Sequence, residues 1–393
     1  MPKHGEPETL AVTSRIRALD GLRGLAALVV LLHHALLVVP SFAEPYMTGY
    51  TDASPWMRAM TYTPLHVVWA GQSAVLVFFV LSGLVLTLPV IGRGRRFSWA
   101  SYYPQRLVRL YLPAWGAVAV AIIWVLLVPR DEEMTSLWVQ ARSVVIDDYR
   151  IPRDILLIGE KGGFVSPLWS LKWEIWFSIL LPILVFLAVK LARWAWLTMS
   201  IALIAVGFGS FYGLDALNYL PMFFLGAQLA VVLPAVRKRF SVHENPLSAD
   251  EPRKRRDRYA RWGAALLIPS LLVLPWILRP FGIDPRLLLP AVALGALLAV
   301  IAAIVDTPFA AMLRLPALQW MGLISFSLYL THEPLVLSMA FIFGEDNATW
   351  AAVTAIALSF PLAYLFYRFV EAPSHRLARA VRIPFSERHE DRG

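Results

Sequence analysis

Residues 20–39 read DGLRGLAALVVLLHHALLVV, an apolar run long enough to cross a bilayer that still carries Arg23, His33 and His34. Arg23 and His34 are eleven positions apart. At about 100° and 1.5 Å per residue, eleven steps turn by roughly 20° beyond three full turns and rise by about 16 Å, so both side chains share one helix face. Arg23 then belongs near one membrane surface and His34 about halfway into the hydrocarbon, where an ionisable group is costly and usually lines a cavity or a substrate path. The run does not read as a cleavable signal, because two histidines sit in its centre and no small-x-small cleavage site follows.

The rest of the chain extends this reading. Its 393 residues are 58% hydrophobic and only 16% charged, far from the balance of a soluble domain. Apolar stretches of about 20 residues recur at roughly 22–40, 66–91, 111–129, 172–189, 195–212, 217–235, 262–279, 287–305, 317–343 and 350–371. The expected fold is therefore all-α, a polytopic bundle of about ten membrane-spanning helices in a lipid bilayer. There is no cysteine, which excludes disulfides, a thiolate nucleophile, cysteine-ligated zinc and iron–sulfur clusters. No His-x-x-x-His pair or acidic ligand cluster falls in the spans, so no metal is expected.

Orientation follows from Lys and Arg. With the N-terminus inside, about 25 basic residues fall on inner segments and about six on outer loops, so both termini are expected in the cytoplasm. The net charge of +9 is accounted for by this bias and by attraction to anionic lipid; the basic stretches contain no nucleic-acid-binding module. Residues 1–377 read as one membrane domain, interrupted by a charged, Pro- and Ser-rich cytoplasmic linker at about 237–261 and followed by a cytoplasmic tail, 378–393. The long connection from Arg130 to Leu171 is expected outside, either as cover for an outward cavity or as a structured connector.

Polar residues recur at span ends. Arg106 and Arg109, in QRLVRLYLP, are one helical turn apart; they read either as a joint grip on one polyanion or as two positive-inside anchors. In LWSLKWEIWF, Glu174 points a carboxylate toward the membrane from the outer side, or pairs with Lys172 among the headgroups. In SFSLYLTHEPLV, His332 and Glu333 precede Pro334, which should kink the span and gather polar groups along a cavity wall. In YRFVEAPSHR, Arg368 and Glu371 should pair across one turn.

Together these motifs resemble the acyltransferase-3 family of integral-membrane acyltransferases, which includes bacterial O-antigen acetylases and macrolide O-acyltransferases. The resemblance rests on DGLRGLAALVVLLHHA, FFVLSGLVL, QRLVRLYLP, LWSLKWEIWF, YLPMFFLGAQL, SFSLYLTHEPLV and YRFVEAPSHR, in family order over roughly residues 15–377. It implies acyl transfer, with acetyl as the default, from cytoplasmic acyl-CoA to a hydroxyl of a carbohydrate, glycolipid or macrolide-like acceptor, in the bacterial cytoplasmic membrane. It also implies that Arg23 and His34 are essential and that Arg106 and Arg109 serve the acyl-CoA donor. Many relatives carry a C-terminal extracytoplasmic SGNH-type domain; with about twenty residues after the tenth span none is expected here, and transfer is expected to be direct or completed by a separate extracytoplasmic protein.

The residues suit that chemistry. Coenzyme A is a polyphosphate head on a long pantetheine arm, so a site needs cations at the membrane surface, here Arg23, Arg106 and Arg109, and a reactive group an arm's length inside. A neutral imidazole at His34 can accept the proton of a hydroxyl attacking the thioester. His33, rotated about 80° from the shared face, is the weaker candidate. A carboxylate, Glu174 or Glu333, is expected to orient the imidazole, and His332 is a second candidate for proton transfer or acceptor binding. An acyl-enzyme route lacks a clear nucleophile, with Ser82 among the serines left open. The alternative function is a proton-coupled secondary transporter using His34, Glu174 and His332 as proton or substrate sites.

Overall fold

The computed structural model describes residues 17–49, 53–130, 136–142, 150–158, 165–240, 263–305 and 307–381. Every regular element among these is helical. Helix α1 (Arg17–Leu37) is followed by three short pieces, α2 (Pro40–Thr48), α3 (Pro55–Tyr62) and a 3-10 turn, Pro64–Trp69. Then come α4 (Gly71–Arg93), α5 (Trp99–Leu127), α6 (Leu137–Gln140), α7 (Arg150–Ile155), α8 (Leu168–Lys190), α9 (Ala195–Tyr212) and α10 (Asp215–Phe240). The C-terminal half holds α11 (Gly263–Leu272), α12 (Leu274–Leu278), α13 (Leu289–Ile304), α14 (Pro308–Leu313), α15 (Pro316–Phe343), α16 (Ala348–Phe366) and α17 (Ala372–Ala380). Most of the expected linker, from 241 to 262, and the tail beyond 381 lie outside the described residues.

Nine helices among the described residues are long and apolar enough to cross a bilayer. Their outward faces are apolar, with Leu126, Ile204 and Trp196 each about 70% exposed or more, as expected of surfaces facing lipid. The seventh expected span is broken instead: Gly263–Leu272 and Leu274–Phe281 meet at 73°. Pro275, at the second position of α12, cannot donate to the ladder there. Packing shows how this bent pair counts. Helices α1 and α15 run parallel, since Gly24 lies against Gly322 and His34 against His332. Parallel helices require an even number of crossings between their starts. The unbroken spans from α1 to α13 number seven, namely α1, α4, α5, α8, α9, α10 and α13, so the bent pair must also carry the chain across.

Glycines let two helix pairs cross closely. A Cβ on Gly322 would lie 2.2 Å from the Asp20 carbonyl oxygen, and one on Gly24 would lie 2.6 Å from the Gly322 nitrogen. Between α4 and α10 the same holds at Gly83 and Gly226, each 1.9 Å from a carbonyl of the opposite helix. Small residues let backbones approach where lipid supplies no hydrophobic drive to helix association.

The connection after α5 does not stay at the surface. The Tyr111 hydroxyl donates to the Leu156 carbonyl (3.2 Å) and Trp115 Nε1 to that of Ile155 (2.9 Å), which places the end of α7 beside the middle of α5. Helix α8 consequently begins deep in the bundle. Trp138 of α6 is 1% exposed, and the Ser136 hydroxyl closes this segment onto the end of α1 through the Leu37 carbonyl (2.6 Å).

Candidate active site

Helix α1 ends at Leu37 because Val38 and Val39 leave the helix and Pro40 starts the next one. His34 therefore lies in the last turn of α1, nearer its far end than the halfway depth expected from the hydropathy run. Arg23 and His34 both lie toward α15, as a shared face requires: Arg23 lines a cavity together with Ser325 and Phe326, and His34 meets His332.

The two histidines are joined by a 2.7 Å contact from His34 Nδ1 to His332 Nε2. Their ring planes differ by 19° with centroids 5.0 Å apart, the separation of two imidazoles bonded edge to edge in one plane and not of a face-to-face stack. His332 Nδ1 lies 2.8 Å from the Leu328 carbonyl. A carbonyl only accepts, so in the neutral ring Nδ1 of His332 carries the proton and Nε2 is the acceptor. His34 must then donate from Nδ1, which leaves the lone pair of its Nε2 for a substrate proton. His33 is committed elsewhere: its Nδ1 donates to the Trp69 carbonyl (2.9 Å), and its ring fills the space that a Cβ at Gly71 would need.

The carboxylates expected to orient His34 are not its partners. Glu333, 1% exposed, accepts from Arg142 Nε (3.2 Å) and from the Ser166 backbone N–H (2.6 Å), tying α15 to the connection after α5. Arg142 also lies over the Trp138 ring (4.6 Å to the centroid), and Trp138 stacks on His34 (5.4 Å). Thus residues 136–142 of the Arg130–Leu171 connection fold inward over the histidine pair. The expected kink wall at Pro334 is instead a packed interface: α15 runs on through Pro334, and Thr331, His332 and Glu333 are all buried.

Glu174 forms an ion pair with Arg106, whose Nε also donates to Ser178 (3.1 Å); Lys172 lies against Trp173 instead. The early start of α8 explains this, since it carries Glu174 down to the level of Arg106. Both line a cavity of about 240 Å³ whose mouth holds Arg23 and Arg109 and whose inner end holds Ser170 and Tyr329. The hydroxyls of that last pair are 2.7 Å apart. His34 is not part of the lining; the Tyr329 ring lines the cavity and lies 6.2 Å from that of His332. Ser82 lines the same cavity and donates to Glu174 (3.4 Å).

Glu371 joins this cavity as well. The Ser327 hydroxyl donates to it (2.6 Å) and His375 approaches to 4.0 Å, in place of the expected pair with Arg368. The residues Tyr367–Glu371 form a π-helical turn. With i→i+5 bonding, three residues sweep less of a turn than in an α-helix, so Arg368 and Glu371 no longer share a face. Glu371, His375, Ser170 and Tyr329 all fall inside motifs quoted above, but spacing alone gave Glu371 only a structural pairing and the other three no role. Trp138 and Arg142 lie in an aperiodic connection that offers no signal.

No solved structure matches the chain. A Bacillus subtilis (strain 168) protein named "Putative peptidoglycan O-acetyltransferase YrhL" is 24% identical over 394 aligned positions, covering 91% of this chain and 54% of that protein. The chain thus spans about half the length of this curated relative. The family described as an acyltransferase domain matches residues 16–368, nearly everything from the start of α1 through the end of α16. The chain accordingly belongs to the acyltransferase-3 family of multi-pass membrane proteins.

Proposed function

We propose that this protein moves an acyl group, acetyl by default, from cytoplasmic acyl-CoA to a hydroxyl of a carbohydrate, glycolipid or macrolide-like acceptor at the bacterial cytoplasmic membrane. The name of the Bacillus relative favours a peptidoglycan hydroxyl among these. The observation that carries the reading is the chain of hydrogen bonds from the Leu328 carbonyl through His332 to His34, which leaves one imidazole nitrogen as a base, close to a cavity whose mouth is ringed by arginine.

In the proposed reaction the pyrophosphate of the donor lies against Arg23, Arg106 and Arg109, which bind phosphate by forked charge-assisted hydrogen bonds. The arm runs up the cavity past Ser170 and Tyr329 toward the histidine pair. His34 Nε2 takes the acceptor's hydroxyl proton as that oxygen bonds to the thioester carbonyl carbon. The carbon–sulfur bond breaks, and the leaving thiolate receives the proton from the imidazolium. His332 holds the His34 ring in the tautomer that leaves Nε2 free, the task usually given to a carboxylate.

Radiolabelled acetyl-CoA, incubated with membranes containing the protein and candidate acceptors, tests this. Acceptor labelling that disappears in His34→Ala supports the proposal. Labelling undiminished in that variant refutes the assigned base, and solute flux without acylation points to transport.

A further inference from the structure

The cavity is too small for the whole donor. Its volume of about 240 Å³ lies below the roughly 300–1,000 Å³ of sites that enclose a drug-sized molecule, and acyl-CoA is larger than that class. The thiol-bearing arm fits; the nucleotide end must lie outside the mouth. Beside the mouth is α17, and behind it lies a second, open groove of about 540 Å³ lined by Tyr364, Tyr367, Arg368, Arg376 and Arg379.

The basic residues of α17 step from one site to the other. His375 lines the cavity. Arg379 lies one turn on and about 40° around the helix, and Arg376 about 100° around from His375, both in the groove. Arg379 is also near enough to Arg109 and His375 to act electrostatically on both. The cations of the two sites therefore form one continuous track. The groove's aromatic members are Tyr364, from the last turn of α16, and Tyr367 and Phe369, from the π-helical turn that follows. Phosphate-binding arginines beside an aromatic face are the pairing that a nucleotide with a phosphate on its sugar requires.

We propose that this groove binds the 3′-phosphoadenosine end of the donor, with Arg376 and Arg379 on the 3′-phosphate. The proposal rests on the acyl-CoA reading above and adds a specificity: the protein distinguishes coenzyme A from its 3′-dephospho form. Arg106 and Arg109 alone would not do so, since both molecules carry the same pyrophosphate.

The test is equilibrium binding of coenzyme A, 3′-dephospho-coenzyme A and adenosine 3′,5′-bisphosphate to the purified full chain in nanodiscs, with and without anionic lipid. The wild type should prefer coenzyme A by about tenfold, the scale of one charge-assisted contact to phosphate, and the bisphosphate should compete. In the Arg376→Gln/Arg379→Gln double variant that preference should vanish while affinity for the dephospho form stays. Intrinsic tryptophan fluorescence would confirm its folding. Equal wild-type affinity for the two, or parallel loss of both in the variant, overturns the assignment and leaves the acyl-CoA reading standing. A preference seen only without anionic lipid overturns it in favour of a lipid headgroup. Absence of any coenzyme A binding refutes the donor reading itself.

Discussion

Replacing His332 by alanine removes the acceptor that fixes the tautomer of His34 while leaving the proposed base in place. The bond lost is the 2.7 Å contact to His34 Nδ1, one member of a chain anchored on the Leu328 carbonyl. A hydrogen bond that carries charge during the reaction contributes about 1.5–3 kcal/mol. At about 1.4 kcal/mol per factor of ten, the His332→Ala variant should turn over roughly 10- to 150-fold more slowly. His34→Ala removes the base itself and should cost about 10²–10⁴-fold. Because the two act as one unit, the double variant should be no slower than His34→Ala alone. His332→Gln, whose side-chain carbonyl can accept from Nδ1, should recover part of the loss. The assay is initial-rate label transfer from acetyl-CoA, with KM and kcat separated; the loss belongs in kcat, since neither histidine lines the donor cavity. Full kcat in His332→Ala, or a double variant slower by the product of the single effects, would refute the relay.

Arg142→Ala should lower thermal stability by about 3–5 kcal/mol, because it leaves Glu333 buried without its ion-pair partner; adding Glu333→Gln should restore part of it. Glu174→Gln should tighten binding of coenzyme A several-fold by freeing Arg106, with little change in folding, and weaker binding would contradict the competition between carboxylate and phosphate. His66, outside the spanning helices, is packed between Trp69 and Trp276, and burial holds its pKa well below the usual value. The unfolded chain then binds the extra proton below about pH 6.5, so melting temperature should fall as pH drops from about 7 to 5. His66→Phe should flatten that slope, read from the fluorescence of the chain's 15 tryptophans.

Much of the fold was legible because bilayer physics is strict. A run such as 317–343 has to be a helix of spanning length, and α15 occupies Pro316–Phe343. Hydropathy cannot report a bend, and so the seventh span appeared whole at 262–279 although α11 and α12 meet at a sharp angle. It also cannot report depth. The start of α8 lies well inside the bundle because Tyr111 and Trp115 hold the preceding segment there, and that turns Glu174 from an outer-surface carboxylate into the partner of Arg106. The Arg23–His34 spacing was readable since an α-helix fixes rotation per residue. The Arg368–Glu371 pairing was misread for the same reason: the π-helical turn changes that rotation, and nothing in YRFVEAPSHR signals it. The identity of the group that orients His34 is a tertiary fact, set by two helices nearly three hundred residues apart.

That tertiary fact has a simple geometric origin. Gly24 precedes His34 by ten residues, and Gly322 precedes His332 by ten. In two parallel helices these equal intervals give equal rises of about 15 Å, so backbones locked in register at the glycines arrive at the histidines at the same height. The contact at Gly24 and Gly322 therefore sets the height at which the two histidines of the proposed site meet, a full arm's length away. Arg23 sits next to that crossing, so one helix pair positions both the cation at the cavity mouth and the imidazole proposed as the base. Enlarging Gly322 to alanine tests this coupling. A Cβ 2.2 Å from the Asp20 carbonyl must push the helices apart or slide them. Overpacking of this kind costs about 1–3 kcal/mol in stability, and displacement at the His34–His332 bond should lower kcat alongside it. A variant that loses stability and keeps full kcat at a temperature where it is folded would show that the histidines are held in place by something other than the register of these two helices.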